Sequence, residues 1–237
     1  MTEGEILSWT TAPKRISFKA QNTEPEVMLW NLSGGKPFIF KTPLVQITTL
    51  QVSAGGKYLF CAGKDNQGRD IILCYDYALL KKENKMELIS RQLSDFDIIF
   101  LKPHPSTPGS FLTGGKENIR FWKMKQTLIQ GQNVVLNQNG RDKFFTDAAY
   151  EVDWGEEGVA QKVSFAYVST ASGELYKVSM KKTLEEIKQI HAGGITSIEI
   201  PKSKKFAIAS SVNDSVRVYS AQFDSMETEI RMASPVA

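Results

Sequence analysis

The chain has 237 residues, of which 41% are hydrophobic, and this is enough to bury a sizeable core. No apolar run approaches the roughly 18 residues of a membrane-spanning helix, and the amino-terminal stretch lacks a secretory-signal pattern. The two cysteines, Cys61 and Cys74, lack the spacing of a disulfide framework or a zinc site. We expect them to be reduced core residues on neighbouring strands of a cytoplasmic protein. The formal net charge of +3 permits an acidic partner without requiring one.

Five segments share one pattern: an apolar strand, a turn with Gly, Asn or Asp, and a strand that ends in an aromatic residue. The aromatic anchors are Trp30, Tyr75, Trp122, Tyr176 and Tyr219. Successive anchors are 45, 47, 54 and 43 residues apart. This spacing fits the roughly 40–45 residues of a WD-type propeller blade better than the roughly 33–34 of ankyrin or tetratricopeptide repeats.

Inside each period the apolar residues alternate, which is typical of strands. The predicted strands of the second period are VQITTLQV, KYLFCAG, DIILCYDY and MELISRQL, and those of the third are DIIFLKP, SFLTGG, NIRFWKM and QNVVLN. The fifth period repeats the pattern with ITSIEIP, KKFAIASS, SVRVYSA and METEIRM. The sequence therefore predicts an all-β, WD40-type β-propeller of about five blades with four antiparallel strands each, because such sheets bury both faces only by stacking.

We expect a single propeller region over residues 1–237, with blades near 1–42, 43–93, 94–138, 139–191 and 192–237. GEILSWTT supplies only part of a first blade, and SPVA resembles the opening of a further one. An open stack exposes sheet edges, so either five blades close with a borrowed strand or the chain is a segment of a longer array. We favour the longer array.

The turn in FLTGGKENIRFW carries a Gly-Gly-Lys that could hold a phosphate. A phosphate-binding loop needs G-x-x-x-x-G-K followed by Ser or Thr, whereas Lys116 precedes Glu117, whose carboxylate repels phosphate. Gly114, five residues after Gly109, is also followed by a second glycine. We therefore expect a hairpin between the second and third strands of a blade, with glycine supplying positive φ, and a similar hairpin at SAGGKYLF.

The segment KTLEEIKQI is ambiguous between helix and strand. It contains strong helix formers and the capping-box spacing of Thr183 and Glu186. In the repeat it is the exposed outer strand of the fourth blade, and we follow the repeat.

The fifth period resembles a WD40 repeat. In that family a His before the blade, a Ser on its second strand, an Asp in the next turn and a Trp on the third strand form a structural hydrogen-bonded tetrad. The matching residues here are His191, Ser210, Asp214 and Tyr219, with Tyr in place of Trp. The resemblance implies a structural role and not a catalytic triad, which is recognised by geometry. The other periods keep the aromatic anchor and lose most of the tetrad, and His104 is expected in a surface loop.

A closer resemblance covers residues 96–225. KPHPSTPGSFLTGGKENIRFWKMK is similar to a pattern of long WD-repeat proteins of cilia, centrioles and microtubules, including the echinoderm-microtubule-associated-like proteins. FFTDAAYE, AYVSTASGELYKVSM, HAGGITSIEI and SSVNDSVRVYSAQFDS most resemble the large WD-repeat scaffold proteins of centrioles and basal bodies, the proteome-of-centriole type. This resemblance implies a non-catalytic scaffold in the cytoskeleton of a centriole, basal body or cilium axoneme.

Basic loops are the candidate contacts for protein partners such as tubulin or a microtubule-associated scaffold protein, because tubulin surfaces are acidic. The residues are Lys81, Lys82 and Lys85 in one loop and Lys202, Lys204 and Lys205 in PKSKK, and the pair Lys181-Lys182 is a further basic loop. The alternative is that these loops are solvated turns. The long connection QGQNVVLNQNGRDKFF is a further candidate, because long loops on rigid scaffolds often carry recognition.

A second hypothesis is a WD-repeat adaptor of another cytosolic complex, such as a ubiquitin-ligase or vesicle-coat subunit, because fold does not fix function. Nucleic-acid binding would need exposed aromatic residues among Arg and Lys, whereas the repeated aromatics mark packing. An enzyme would need polar groups at the central channel, and the first strands have few. The sequence has no metal-spaced cluster and no nucleophile elbow, so we expect no catalysis, cofactor or metal.

Overall fold

The computed structural model describes residues 5–10, 25–31, 36–83, 85–155, 160–201, 206–210, 215–220, 223 and 225–231. Within them the chain forms five antiparallel sheets and one α-helix, α1 (Tyr77–Glu83). In every sheet, strands that follow one another in the chain are paired. The prediction of an all-β fold is confirmed.

We number the sheets as blades in chain order. Blade 1 contains β1 (Glu5–Thr10), β2 (Glu26–Asn31) and β3 (Phe38–Lys41), and blade 2 contains β4 (Gln46–Val52), β5 (Tyr58–Lys64), β6 (Asp70–Asp76) and β7 (Glu87–Leu93). Blade 3 contains β8 (Ile98–Pro103), β9 (Ser110–Gly115), β10 (Ile119–Lys125) and β11 (Leu128–Asn133). Blade 4 contains β12 (Phe145–Trp154), β13 (Ala160–Thr170), β14 (Glu174–Ser179) and β15 (Leu184–Gln189). Blade 5 contains β16 (Ile195–Glu199), β17 (Phe206–Ser210), β18 (Ser215–Tyr219) and β19 (Met226–Arg231).

Blades 2 to 5 have the predicted four strands, whereas blade 1 has three among the described residues. The ambiguous segment KTLEEIKQI is a strand, because β15 pairs with β14 along its length. The strand prediction for DIILCYDY extended one residue too far, to Tyr77. The chain turns into α1 there, because the Asp76 carboxylate accepts a hydrogen bond of 3.1 Å from the Leu79 N–H and so caps the helix.

The prediction of QNVVLN as the outer strand of blade 3 is wrong. The outer strand β11 begins earlier, since Lys125 already pairs with Leu128 across a tight turn. Gln126 in that turn has a left-handed φ of 56°, which closes the hairpin. The apolar residues Val134 and Leu136 then pack into the core between blades 3 and 4.

Among the described residues the core consists of four apolar clusters, each between two consecutive blades. Strand β5 shows how one sheet serves two clusters, because side chains alternate between its faces. Leu59 and Cys61 pack towards blade 1, whereas Phe60 and Ala62 pack towards blade 3. Full burial of a large apolar side chain contributes about 1.5–3 kcal/mol, so each boundary between blades is a substantial part of the folding free energy.

Four of the five aromatic anchors lie in these clusters, each on the face that packs against the preceding blade. Tyr75 lies between blades 1 and 2, Trp122 between blades 2 and 3. Tyr176 lies between blades 3 and 4, and Tyr219 between blades 4 and 5. The packing of these four residues follows the pattern expected from the sequence.

Trp30 does not follow the prediction that every anchor is packed in the core, because 42% of its surface is exposed. Its neighbours on β2, Val27 and Leu29, are buried against blade 2. Alternation along the strand therefore directs Trp30 to the opposite face, the one that would contact a preceding blade. No such blade is present among the described residues, which explains the exposure.

The role predicted for the glycines in FLTGGKENIRFW is also wrong. The hairpin is present, but Gly114 and Gly115 lie in β9, and the residue with left-handed backbone is Glu117, with φ of 57°. Gly114 is required by close packing, because a β-carbon there would lie 2.5 Å from Cε1 of Phe100. In SAGGKYLF the prediction holds, since Gly55 has φ of 71°.

In the described part of the chain, two buried carboxylates each accept a hydrogen bond from the first strand of the next blade. Asp70 of blade 2 accepts a hydrogen bond of 3.1 Å from the N–H of Ile98 in blade 3. Asp147 of blade 4 accepts one of 3.0 Å from the N–H of Ile198 in blade 5. Each bond satisfies a buried backbone donor at the junction of two sheets, where strand pairing does not reach it.

Candidate protein-interaction surface

His191 lies in a buried hydrogen-bonded cluster ahead of blade 5. Its Nδ1 accepts a hydrogen bond of 3.0 Å from the Gly193 N–H, so Nε2 carries the proton and donates over 3.3 Å to the Ser215 hydroxyl. The Tyr219 hydroxyl donates to the Ile190 carbonyl oxygen at 2.6 Å, and Arg217 donates to the same oxygen at 3.1 Å. Burial, together with the Arg217 charge, lowers the pKa of His191 and favours the neutral ring.

Two members of the predicted tetrad, His191 and Tyr219, are therefore in one cluster. The third, Ser210, pairs with Ser215 at the end of β17, but its side chain lies outside the described part of the chain. The fourth, Asp214, lies outside the described residues. The described hydroxyl partner of His191 is that of Ser215, which the sequence did not indicate. The complete tetrad stays a prediction.

Blade 3 contains a related pair that the sequence analysis missed. The indole N–H of Trp122 donates a buried hydrogen bond of 2.7 Å to the Thr113 hydroxyl. Thr113 precedes Trp122 by nine residues, as Ser210 precedes Tyr219. This spacing could have identified Thr113 as the counterpart of Ser210.

Few of the basic contact candidates have a described environment. Lys85 is exposed and lies 3.8 Å from a Glu87 carboxylate oxygen. The side chains of Lys81 and Lys82 lie outside the described part of the chain, although their backbone belongs to α1. The residues Lys202, Lys204 and Lys205 lie outside the described residues. All six stay predictions as partner contacts.

The long connection chosen as a contact candidate is anchored in the structure. Val134 and Leu136 are buried in the cluster between blades 3 and 4, and the Asn139 carbonyl oxygen accepts a hydrogen bond of 2.7 Å from the Tyr176 hydroxyl. In the same connection Val135 and Phe144 are exposed, by 60% and 47%. The connection therefore presents apolar side chains on a fixed backbone.

A groove of about 580 Å³ lies where blade 3 meets blade 4. We call it the blade 3–4 groove. It is lined by His104, Thr107, Ser110, Phe111, Phe121, Trp122, Lys123, Lys125, Gln130, Gly131, Gln132, Tyr150, Met180 and Lys182. His104 was expected in a surface loop, but it is half-buried, with its ring edge-on to Tyr150 at 5.4 Å between centroids. Burial lowers the pKa of His104.

The cysteines lie on adjacent strands, as expected. Cys61 on β5 and Cys74 on β6 are free thiols in the core, and burial raises the pKa of each to about 12. Among the described residues no group of three or more His, Cys, Asp or Glu is arranged to hold a metal ion. No helix in the described ranges has the length and apolar character that crossing a membrane would take.

Comparison with solved structures identifies the fold. The β-propeller domain of Cps50 (Swd1) from Myceliophteria thermophila superposes with a TM-score of 0.66 at 15% sequence identity, over 88% of this chain and 66% of that one. Two proteins that are similar in sequence are named as a centriole protein and a WD-repeat protein. Centriole proteome protein 16 of Chlamydomonas reinhardtii is 30% identical over 172 residues, and WD repeat-containing protein 90 of Xenopus tropicalis is 24% identical over 169.

The chain has a β-propeller fold and is similar in sequence to WD-repeat proteins. Its resemblance to centriolar WD-repeat proteins is confirmed by these relatives, which also include WD repeat-containing protein 90 of Homo sapiens at 21% identity over 69% of the chain. No protein-family model matches the chain. The matched part covers 65% and 70% of the chain for the first two relatives, but only 8% and 9% of their own lengths.

Proposed function

We propose that this WD-repeat propeller is a non-catalytic scaffold and protein-interaction module of a centriole, basal body or cilium, associated with microtubules. The observation that carries the proposal is the similarity to Centriole proteome protein 16 over 65% of the chain. The stacked blades support it physically. Cores between consecutive sheets hold the surface loops on a stiff frame, as a scaffold requires.

The basic residues predicted from the sequence are the contacts we propose for an acidic microtubule surface. The first group is Lys81, Lys82 and Lys85, and the second is Lys202, Lys204 and Lys205. Exposed charges of this kind accelerate association and confer salt dependence more than they add affinity.

Microtubule co-sedimentation across a salt series tests the proposal. The protein should pellet with microtubules at low salt and be released as the ionic strength rises. Variants with Gln at Lys81 and Lys82, or at Lys202, Lys204 and Lys205, should pellet less. A variant with Gln at Lys36 and Lys162, both exposed and in other loops or strands, is the matched control.

Absence of pelleting at low salt would contradict direct microtubule association. The module would then act through another scaffold protein or as an adaptor of a different cytosolic complex. Proximity labelling in ciliated cells with the full-length protein separates these outcomes, because only the first places centriolar proteins among its neighbours.

A further inference from the structure

The charged side chains described around the blade 3–4 groove are all positively charged lysines. Lys123 and Lys125 on β10 are exposed and Lys182 in the β14–β15 turn is half-buried, and none of them forms an ion pair within the described part of the chain. No Asp or Glu is among the residues that line the groove. Elsewhere in blades 3 and 4 several basic side chains are paired, as Lys143 is with Glu174 at 2.6 Å. Three unpaired ammonium groups around one concave surface favour an anionic occupant.

The floor of the groove is aromatic and apolar. It contains the buried rings of Phe121 and Tyr150, with Met180 at one side. A free inorganic anion would gain nothing from such a floor, whereas a peptide with one apolar side chain would bury it there.

The third wall can hydrogen-bond an extended backbone. Gln130, Gly131 and Gln132 are consecutive in β11, and all three line the groove. Because side chains alternate between faces, three consecutive lining residues bring the backbone of the strand to the groove. Among the described strands β11 pairs with β10 alone, so its other edge is open to a partner strand.

The walls are fixed in place before any partner binds. The Val135 N–H donates to the Lys182 carbonyl oxygen at 3.2 Å, which ties blade 3 to the β14–β15 turn. Lys182 is held with φ of 68°, a left-handed conformation that is strained for a non-glycine residue. At the other end His104 packs on Tyr150, and the Tyr150 hydroxyl donates to the Lys102 carbonyl oxygen at 3.3 Å. Because these walls are already ordered, less of the binding free energy is lost to ordering them when a partner binds.

We propose that the blade 3–4 groove binds an extended acidic segment of a partner protein, with an apolar side chain on the aromatic floor and carboxylates on Lys123, Lys125 and Lys182. The inference rests on the proposed interaction function and gives it a site and a partner chemistry. It does not depend on that partner being a microtubule.

The test is fluorescence anisotropy with the labelled peptide Glu-Glu-Glu-Leu-Glu-Glu-Glu. Its counterpart with Gln in place of Glu should bind at least about tenfold more weakly, and the affinity of the acidic peptide should fall with added salt. The double variant Lys123→Glu/Lys125→Glu should weaken binding by about tenfold or more. The matched double reversal Lys36→Glu/Lys162→Glu should leave it unchanged, since these residues lie outside the groove.

Lys182→Gly separates a lost contact from lost folding. Glycine adopts the backbone of Lys182 without strain, so the variant should be at least as stable as the parent and still bind the peptide several-fold more weakly. Equal binding of the acidic and neutral peptides, or unchanged affinity in both groove variants, would overturn the proposal. So would full competition by tripolyphosphate at equal concentration, because that ligand has no apolar group. Co-sedimentation does not enter this assay, so failure of the groove and failure of microtubule association are distinguished.

Discussion

The carboxylate of Asp147, on the first strand of blade 4, accepts a hydrogen bond of 3.0 Å from the backbone N–H of Ile198, on the first strand of blade 5. The same oxygen accepts a bond of 3.0 Å from the Ser197 hydroxyl, and the other lies 3.1 Å from the Lys102 ammonium group of blade 3. One buried side chain therefore connects three consecutive blades. Its removal would leave a backbone donor and an ammonium group without their partner.

Asp147→Ala is expected to lower the free energy of unfolding by about 2–3 kcal/mol, because a buried N–H left unsatisfied costs roughly that amount. Urea denaturation followed by circular dichroism measures the change. The control is Glu199→Ala, an exposed carboxylate next to Ile198 that forms no ion pair among the described residues. Similar losses in the two variants would show that the contact across the blades is unimportant.

The aromatic anchors provide a second prediction. Trp122→Ala removes a side chain that is 3% exposed and should destabilise the protein by about 3–5 kcal/mol, as large-to-small changes in a core do. Trp30→Ala removes a side chain that is 42% exposed and should cost about 1 kcal/mol or less. Thermal and urea unfolding of the two variants measure the two losses of stability. A large loss for Trp30→Ala would mean that its face is covered.

Local pattern was sufficient to predict most of the strands and the packing of most anchors, because alternation is a property of one strand and its own residues. It could not predict the exposure of Trp30. The sequence around Trp30 is as apolar as that around Trp122, and what differs is whether another sheet lies beyond it. Whether an aromatic anchor is buried therefore depends on the neighbouring blade as well as on its own strand.

The blade 3–4 groove escaped prediction for a similar reason. Lys123 and Lys125 are far from Lys182 in the chain, and the packing of blade 4 on blade 3 brings them to one groove. No spacing rule connects these residues. The Thr113–Trp122 pair is different, since its spacing of nine residues was readable in the sequence.

Glycine-to-alanine substitutions at two positions give a third prediction. Close packing opposes the β-carbon at one position, and backbone conformation opposes it at the other. At Gly115 a β-carbon would overlap the carbonyl oxygen of Asp97, and backbone cannot rotate away. Gly115→Ala should therefore cost about 3 kcal/mol. At Gly55 the surroundings are open and only φ of 71° opposes a side chain, so Gly55→Ala should cost about 1 kcal/mol.

Chemical denaturation ranks the two glycine variants. Gly55→Asn serves as the control, since Asn tolerates the left-handed region better than Ala and should recover part of the loss. If Gly115→Ala proved no worse than Gly55→Ala, close approach of β8 and β9 would not be what requires Gly115.

The last prediction concerns pH and His191. Burial and the Arg217 charge lower the pKa of His191 in the folded protein from its usual 6.5, while the nearby Glu229 charge opposes the shift. The unfolded chain therefore binds more protons than the folded protein just below pH 6.5. Stability is complete above that pH, falls as the pH drops towards the folded pKa, and levels off below it. The pKa of His104 is also lowered by burial, so both histidines act in the same direction.

Urea midpoints measured from about pH 7.5 to about pH 5 should fall, before most paired carboxylates begin to titrate. His191→Gln should remove part of this dependence and His191→Gln/His104→Gln most of it, because glutamine stays neutral. Comparing each variant with the parent protein at one neutral pH corrects for any change in stability that is unrelated to protonation. An unaltered slope in the double variant would mean that neither imidazole is kept neutral by its buried position, and the pH dependence would then belong to the carboxylates.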